Sequence, residues 1–247
     1  MPPEIAAITL VPAAFILLLA SLVKSTTGFG FAMVSVPLLL LFWEPIFIVP
    51  IVMPLVFTVD ALIVMNNRKR LEPRRVFPIV AAGVFGIPLG AYVLMTVPSQ
   101  LLKVGIAGLV MTAASAMLFG LTIHLTRERI AGAAAGFISG VLAASTGLSG
   151  PPVTLFMINQ RWAKDTFRNS LGLFFVFMDS FAILSLAITG ALDFATLEVS
   201  AILWLPVLLG YLAATRVLPY VQQHLFLRIS TGVVLVSAIM AMMNALR

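Results

Sequence analysis

Apolar residues run along this chain in long blocks, and short segments with polar and charged residues separate them. A helix needs about 20 apolar residues to cross the hydrocarbon layer of a bilayer. Six blocks reach this length without interruption, at 45–65, 76–97, 101–123, 169–189, 197–215 and 225–246. The pattern therefore predicts an all-α polytopic membrane protein.

Two further apolar blocks, 5–43 and 130–158, are interrupted near their middle. The interruptions read KSTTGFG at 24–30 and STGLSGPP at 145–152. Both combine small, hydroxylated and helix-breaking residues. Irregular backbone survives at membrane depth only inside protein or beside a water-filled cavity. We therefore expect two broken helical hairpins in the interior of the protein.

The composition agrees with a membrane location. Of the 247 residues, 61% are hydrophobic and 10% are charged, and the mean hydropathy is +1.13. A soluble domain has about 25% charged residues, so this chain has too few to cover a surface in water. The proportions argue against a soluble enzyme, a disordered chain and a nucleic-acid-binding protein. The chain has no cysteine, which excludes disulfides and thiolate metal sites. No pattern in the sequence indicates a cofactor.

The two halves of the chain repeat each other. Thr27 aligns with Thr146, and at the same spacing Asp60 aligns with Asp179. These two aspartates are the only acidic residues deep inside apolar blocks. Each half is then a broken helical hairpin followed by three transmembrane helices.

The distribution of charge predicts the orientation of the two halves, because cytoplasmic loops are rich in lysine and arginine. Most of the 15 basic residues lie in four connections, 66–75, 124–129, 161–168 and 216–228. Loop 66–75 is therefore expected inside, whereas its repeat mate, 190–196, is acidic and expected outside. We predict one transmembrane domain over 1–247 with an inverted-topology repeat, one copy at about 5–123 and the other at about 130–246. Inverted repeats with paired broken helices are typical of secondary transporters, and the breaks lie at the substrate site.

Two motifs resemble those of a known family. Residues 24–39 read KSTTGFGFAMVSVPLL, and residues 136–155 read GFISGVLAASTGLSGPPVTL. Together with Phe167-Arg168, they resemble the sulfite exporter TauE/SafE family of membrane permeases. The resemblance implies a transporter, often an exporter, of small organosulfur anions such as sulfite or sulfonates across the bacterial inner membrane. A transporter of another small anion, such as a carboxylate, is the alternative within transport.

The two breaks are the candidate substrate site. Unwound backbone and the N-termini of half-helices present free N–H groups to an anion, and hydroxyl side chains add donors. The candidate residues are Lys24, Ser25, Thr26, Thr27, Gly28, Gly30, Ser145, Thr146, Gly147, Ser149 and Gly150. The competing interpretation is that these small residues only let helices pack closely.

Three charged residues within the apolar blocks have two interpretations each. Lys24 is either the counter-charge for an anionic substrate or a lysine that snorkels to the cytoplasmic interface. Asp60 and Asp179 are candidate carriers of a coupled proton. Alternatively, Asp60 reaches cytoplasmic water near Asn66, and Asp179 is a hydrogen-bonded structural carboxylate. Asp179 is the stronger coupling candidate because it lies nearer the middle of its block.

A hypothesis outside transport rests on Gly147-Leu148-Ser149-Gly150, which is similar to the nucleophile motif of rhomboid intramembrane proteases. A nucleophilic serine needs a base within hydrogen-bonding reach. The only histidines, His124 and His224, fall in basic connections at the membrane edge. We therefore expect a transporter rather than an enzyme. Since no Walker motif is present, we also expect no direct use of ATP.

Overall fold

The computed structural model describes residues 7–66, 73–118, 128–160 and 164–217, together with six isolated positions between 232 and 243. These residues form helices and short connections, with no strand among them. The helices, in chain order, are α1 (Ala7–Thr27), α2 (Phe31–Leu39), α3 (Pro45–Asn66), α4 (Pro73–Thr96), α5 (Ser99–Leu118), α6 (Glu128–Thr146), α7 (Gly150–Asn159), α8 (Lys164–Ile188) and α9 (Phe194–Val217).

Within the described residues, seven helices are long and apolar enough to cross a membrane: α1, α3, α4, α5, α6, α8 and α9. This confirms the prediction of an all-α polytopic membrane protein. The crossing predicted at 225–246 lies almost wholly outside the described residues. The short helices α2 and α7 have 9 and 10 residues. At 1.5 Å per residue each covers roughly half of the hydrocarbon thickness, which is about 30 Å.

Both broken hairpins appear in the structure at corresponding places. Helix α1 ends at Thr27 and α6 ends at Thr146, and each is followed by a glycine with positive φ. Gly28 has φ 87° and Gly147 has φ 76°, a conformation that only glycine adopts without strain. The chain then reverses into α2 or α7. At the open end of the first hairpin, Trp43 Nε1 donates to Thr9 Oγ1 at 2.9 Å.

The halves interlock through long helices. Helix α1 packs against α9, and α6 packs against α4, so the first helix of each half contacts the fourth helix of the other. The α4–α6 contact is very close because glycines lie on both helices. A Cβ at Gly90 would collide with the carbonyl of Val141, and one at Gly140 with the carbonyl of Gly83. These glycines form a seam along which the backbones of α4 and α6 pack in direct contact.

Hydrogen bonds give the direction of α9 relative to α3. Ser200 Oγ donates to the carbonyl of Ile51 at 3.1 Å, near the start of both helices. Trp204 Nε1 donates to Thr58 Oγ1 at 3.0 Å further along. Near the end of α3, Asn66 Nδ2 lies 2.5 Å from the hydroxyl of Tyr211. Helices α3 and α9 therefore run in the same direction.

Helix α4 runs the other way. Glu44, which precedes α3, is bonded by Ser99 Oγ and by Lys103 Nζ from the first turns of α5. Helix α4 therefore ends at the face of the protein where α3 begins. Since α4 and α9 correspond in the repeat, this opposition is what an inverted repeat requires. The inversion of the complete halves stays a prediction, because the last crossing lies outside the described residues.

Candidate functional site

The tips of the two hairpins meet around one cavity in the interior. The cavity is partly open to the outside. Residues from the first break and the start of α2 line one side, and residues from the second break and the start of α7 line the other. The lining residues are Lys24, Gly30, Phe31, Ala32, Met33, Val56, Gly147, Leu148, Ser149, Gly150, Pro151, Phe175 and Asp179. Two segments that are far apart in sequence therefore form one polar site.

Helix starts provide backbone donors at this cavity. The first intrahelical bond of α2 runs from the N–H of Val34 to the carbonyl of Gly30, at 3.1 Å. The N–H groups of Phe31, Ala32 and Met33, in the first turn, have no partner within the helix. Helix α7 offers fewer donors because it begins Gly150-Pro151-Pro152, and proline has no N–H. The first break is thus the richer source of donors for an anion.

Lys24 carries the positive charge of the cavity. Its side chain is only 4% exposed, and its Nζ lies 2.8 Å from Oδ2 of Asp60, whose side chain is fully buried. The ammonium also lies 4.1 Å from the ring centroid of Phe175, within the range of a cation–π interaction. The snorkelling interpretation is therefore wrong: the ammonium points to the interior, where a carboxylate and a ring hold it.

Asp60 lies in the interior, not at cytoplasmic water, so that interpretation is also wrong. The Lys24–Asp60 ion pair joins α1 to α3. Asp179 comes from α8 and is 2% exposed. Its carboxyl group lines the same cavity as Lys24 and lies close enough to that of Asp60 for the two to interact. The two aspartates that the repeat aligns thus meet beside the one lysine of the site.

The structure brings six of the predicted site residues to the cavity wall: Lys24, Gly30, Gly147, Ser149, Gly150 and Asp179. Asp60 does not line the cavity, but it forms an ion pair with Lys24, which does. The predicted residues that do not line it are Ser25, Thr26, Thr27, Gly28, Ser145 and Thr146. All five hydroxyls in this group donate to backbone carbonyls of the preceding helical turn.

Thr27 and Thr146 shape the breaks in the same way. The Thr27 hydroxyl donates to the carbonyl of Val23 at 2.9 Å and accepts the N–H of Phe29 at 3.3 Å. The Thr146 hydroxyl donates to the carbonyl of Leu142 at 2.8 Å and accepts the N–H of Leu148 at 3.3 Å. Each threonine thus closes the last turn of its helix and satisfies a loop N–H group. The structure gives them a role in loop geometry, and their contact with substrate stays a prediction.

Phe175 is a site residue that no sequence motif indicated. It occurs in an apolar helix in which several phenylalanines are equally plausible core residues. The available signal was its position four residues before Asp179, because residues at i and i+4 share a helix face. The ring contacts both the ammonium of Lys24 and the position a Cβ of Gly150 would take, at 3.6 Å.

A bundle of membrane-spanning helices around two half-length helices, with a buried charged cavity between them, defines a multi-pass membrane transporter. Residues 13–242 match the family Sulfite exporter TauE/SafE, and the chain belongs to that family. No curated protein and no solved structure matches the chain.

This family is one of transporters and not of enzymes, so the chain is not a protease. Ser149 lies at the start of α7 as part of the cavity wall, and both histidines fall outside the described residues. Among the residues that the structure describes, no group of three or more histidines or acidic residues is placed to hold a metal ion.

Proposed function

We propose that the protein is a secondary transporter that exports small organosulfur anions, such as sulfite or a sulfonate, across the bacterial inner membrane. The observation that carries this proposal is the position of Lys24: a buried ammonium on the wall of a cavity that both breaks enclose. A charge at this depth costs roughly 2.5–3.5 kcal/mol on insertion scales, and it is commonly retained for function.

The neighbours of Lys24 fit a small oxyanion. The first turn of α2 contributes N–H groups, and Ser149 contributes a hydroxyl from the opposite wall. A sulfite or sulfonate group has three acceptor oxygens and can accept from several of these donors at once. The apolar part of the lining, including Phe31, Val56 and Phe175, suits a short aliphatic substituent.

The carboxyl groups of Asp60 and Asp179 support proton coupling. Asp60 pairs with Lys24, and Asp179 lines the same cavity as Lys24, so a change in protonation alters the charge next to the anion directly. Alternating access then arises when one bundle rocks against the other around the two hairpin tips. This movement exposes the cavity first to one side of the membrane and then to the other.

Flux of radiolabelled sulfite and methanesulfonate into proteoliposomes tests the proposal. Lys24→Met should abolish saturable flux, whereas Lys24→Arg should retain part of it. Lys103→Met is the matched control, because it also removes a paired lysine, but one at the rim beside Glu44. Equal flux in Lys24→Met and Lys103→Met would contradict the site. Competition by acetate, stronger than that by methanesulfonate, would favour the carboxylate alternative.

A further inference from the structure

The charges around the cavity are few and can be named helix by helix. Lys24 is the one charged residue of α1, and Asp60 is the one charged residue of α3. Helices α2 and α7 contain no charged residue. Helix α8 contributes Asp179, and its other charged residues lie in its first two turns. The charged residues of α4, α6 and α9 are exposed near the ends of those helices: Arg74, Arg75, Glu128, Arg129, Glu198 and Arg216. Helix α5, which packs against α2 and α3, contributes Lys103, and this lysine is paired with Glu44.

The charges of the three buried groups sum to zero when the two carboxyl groups carry one proton between them. One ammonium neutralises one carboxylate, and a second ionised carboxylate would be a buried charge without a partner, so one of the two carboxyl groups is protonated. Asp60 faces the ammonium at 2.8 Å and is the ionised member, which leaves the proton on Asp179. Lys24, Asp60 and Asp179 then have a net charge of zero. Asp60 Oδ1 and Asp179 Oδ2 are buried and accept no hydrogen bond from the described residues.

An anion that enters this cavity meets a lysine that already has an anionic partner. If the anion joined the triad without other change, the site would hold an uncompensated negative charge in a medium of low dielectric constant. Burying an unpaired charge is strongly unfavourable. The site therefore accepts an anion only when a negative charge is removed at the same time, and Asp60 is the group whose charge the anion replaces.

We propose that the anion takes the place of Asp60 as the partner of Lys24 while Asp60 takes up one proton, so that one monovalent anion and one proton cross the membrane together. This inference rests on the proposed function. In the empty site the charges are +1 on Lys24, −1 on Asp60 and zero on Asp179. In the loaded site they are +1 on Lys24, −1 on the anion and zero on both carboxylic acids. The proton leaves Asp60 when the anion leaves Lys24, and neither form of the carrier has a net charge at this site.

Two properties of transport follow from this exchange. The site favours monovalent anions, such as hydrogen sulfite or a monosulfonate, because a divalent anion would leave one negative charge without a partner. Net flux responds to the anion gradient and the pH gradient but not to the membrane potential. Export then requires a higher concentration of the anion inside the cell. The exchange also makes Asp60, rather than Asp179, the residue that binds and releases the coupled proton.

The test is calorimetry of methanesulfonate binding to the purified full-length protein in buffers with different enthalpies of ionisation. Methanesulfonate has one negative charge throughout the working pH range, so any proton taken up goes to the protein. Wild type should take up one proton per anion, and its dissociation constant should rise tenfold per pH unit while Asp60 is ionised in the empty protein. Asp60→Asn should bind without proton uptake, and Asp60→Glu should restore it. Asp179→Asn, which mimics the protonated acid, should still take up one proton.

Proteoliposomes give the second measurement. Wild-type flux of methanesulfonate should follow a pH gradient and should be unaffected by a potassium-diffusion potential. Zero proton uptake by wild type, or loss of uptake in Asp179→Asn but not in Asp60→Asn, would overturn the exchange while leaving anion transport intact. If Asp60→Asn does not fold, the wild-type and Asp179→Asn proton counts still decide the matter. Failure of both sulfite and methanesulfonate to bind to wild type would overturn the proposed function, and this inference with it.

Discussion

The Nζ of Lys24, in the last turn of α1, lies 2.8 Å from Oδ2 of Asp60 in α3, and less than 5% of either side chain is exposed. Removal of one partner of a buried ion pair leaves the other charge uncompensated and costs about 3–5 kcal/mol. Removal of both partners costs much less. The ion pair therefore holds the tip of the first hairpin against α3 until another anion replaces Asp60.

A double-mutant cycle on this pair should show strong coupling. Lys24→Met and Asp60→Asn should each lower the midpoint of thermal unfolding in detergent, and the double variant should recover much of the loss. The expected coupling energy is on the order of 3 kcal/mol. Lys103→Met should have a small effect, because its pair with Glu44 is partly exposed. Additive losses at Lys24 and Asp60 would show that the pair contributes no specific interaction.

Much of this architecture is encoded in patterns that depend only on local sequence. Block length predicts the spanning helices, and small residues followed by glycine predict the breaks, because these signals depend on the bilayer and on backbone sterics. The pairing of Lys24 with Asp60 depends on how α1 crosses α3, which no local pattern specifies. For the same reason, the sequence placed Asp60 near cytoplasmic water, although the residue is wholly buried.

The threonine hydroxyls show the same limit. Thr27 and Thr146 were expected to contact substrate because hydroxyl groups suit an oxyanion. In a helix, however, the hydroxyl of threonine can satisfy the carbonyl four residues earlier, and both residues do so. Composition identifies the segment that breaks, but not which polar atoms of that segment remain available to a ligand.

Phe175 should affect anion binding through the ammonium of Lys24. A cation–π contact contributes roughly 0.5–2 kcal/mol, so Phe175→Leu should weaken methanesulfonate binding about 2- to 30-fold, whereas Phe175→Tyr should retain binding. Phe174→Leu is the matched control: the same change is made one residue earlier, at a fully buried ring that does not line the cavity. It should lower thermal stability without altering the dissociation constant. Equal loss of binding in both leucine variants would assign Phe175 to packing alone.

The glycine seam between α4 and α6 should tolerate no side chain. Gly140→Ala places a methyl group against the carbonyl of Gly83, and Gly90→Ala places one against the carbonyl of Val141. Backbone cannot move as a side chain can, so each change should destabilise the protein by about 1–3 kcal/mol. Gly105→Ala, in α5, is the control because nothing lies within 4 Å of its added methyl group. If Gly140→Ala and Gly90→Ala unfold at the wild-type temperature, the two helices can separate at little cost.

Asp193 should contribute stability that depends on pH. It precedes α9 and accepts the N–H of Thr196 at 2.8 Å, while the Thr196 hydroxyl accepts the N–H of Asp193 at 3.0 Å. The backbone hydrogen bond from Thr196 holds the pKa of Asp193 below its usual value. The stabilisation is therefore present above the unfolded pKa, about 3.9, and is lost as the pH falls through the lower folded pKa.

Asp193→Ala should cost about 1 kcal/mol at neutral pH. Asp193→Asn keeps a capping group without the charge, so it should lie closer to wild type. The advantage of wild type over Asp193→Asn should disappear as the pH falls below about 3.9. Thermal unfolding followed from pH 7 to pH 3 measures both differences. A wild-type advantage that is constant over this range would show that the charge of Asp193 has no part in the cap.

The orientation of the two halves should be measurable by labelling of single cysteines, and the absence of native cysteine gives no background. Ala191→Cys lies between α8 and α9, at the face where α3 begins, because α3 and α9 run in the same direction. It should react with a membrane-impermeant maleimide from the periplasmic side. Lys69→Cys, in the connection between α3 and α4, should react only after the membrane is opened, because basic loops stay in the cytoplasm. These two loops correspond in the repeat, so labelling of both from one side would contradict the inverted insertion on which the alternating exposure of the cavity depends.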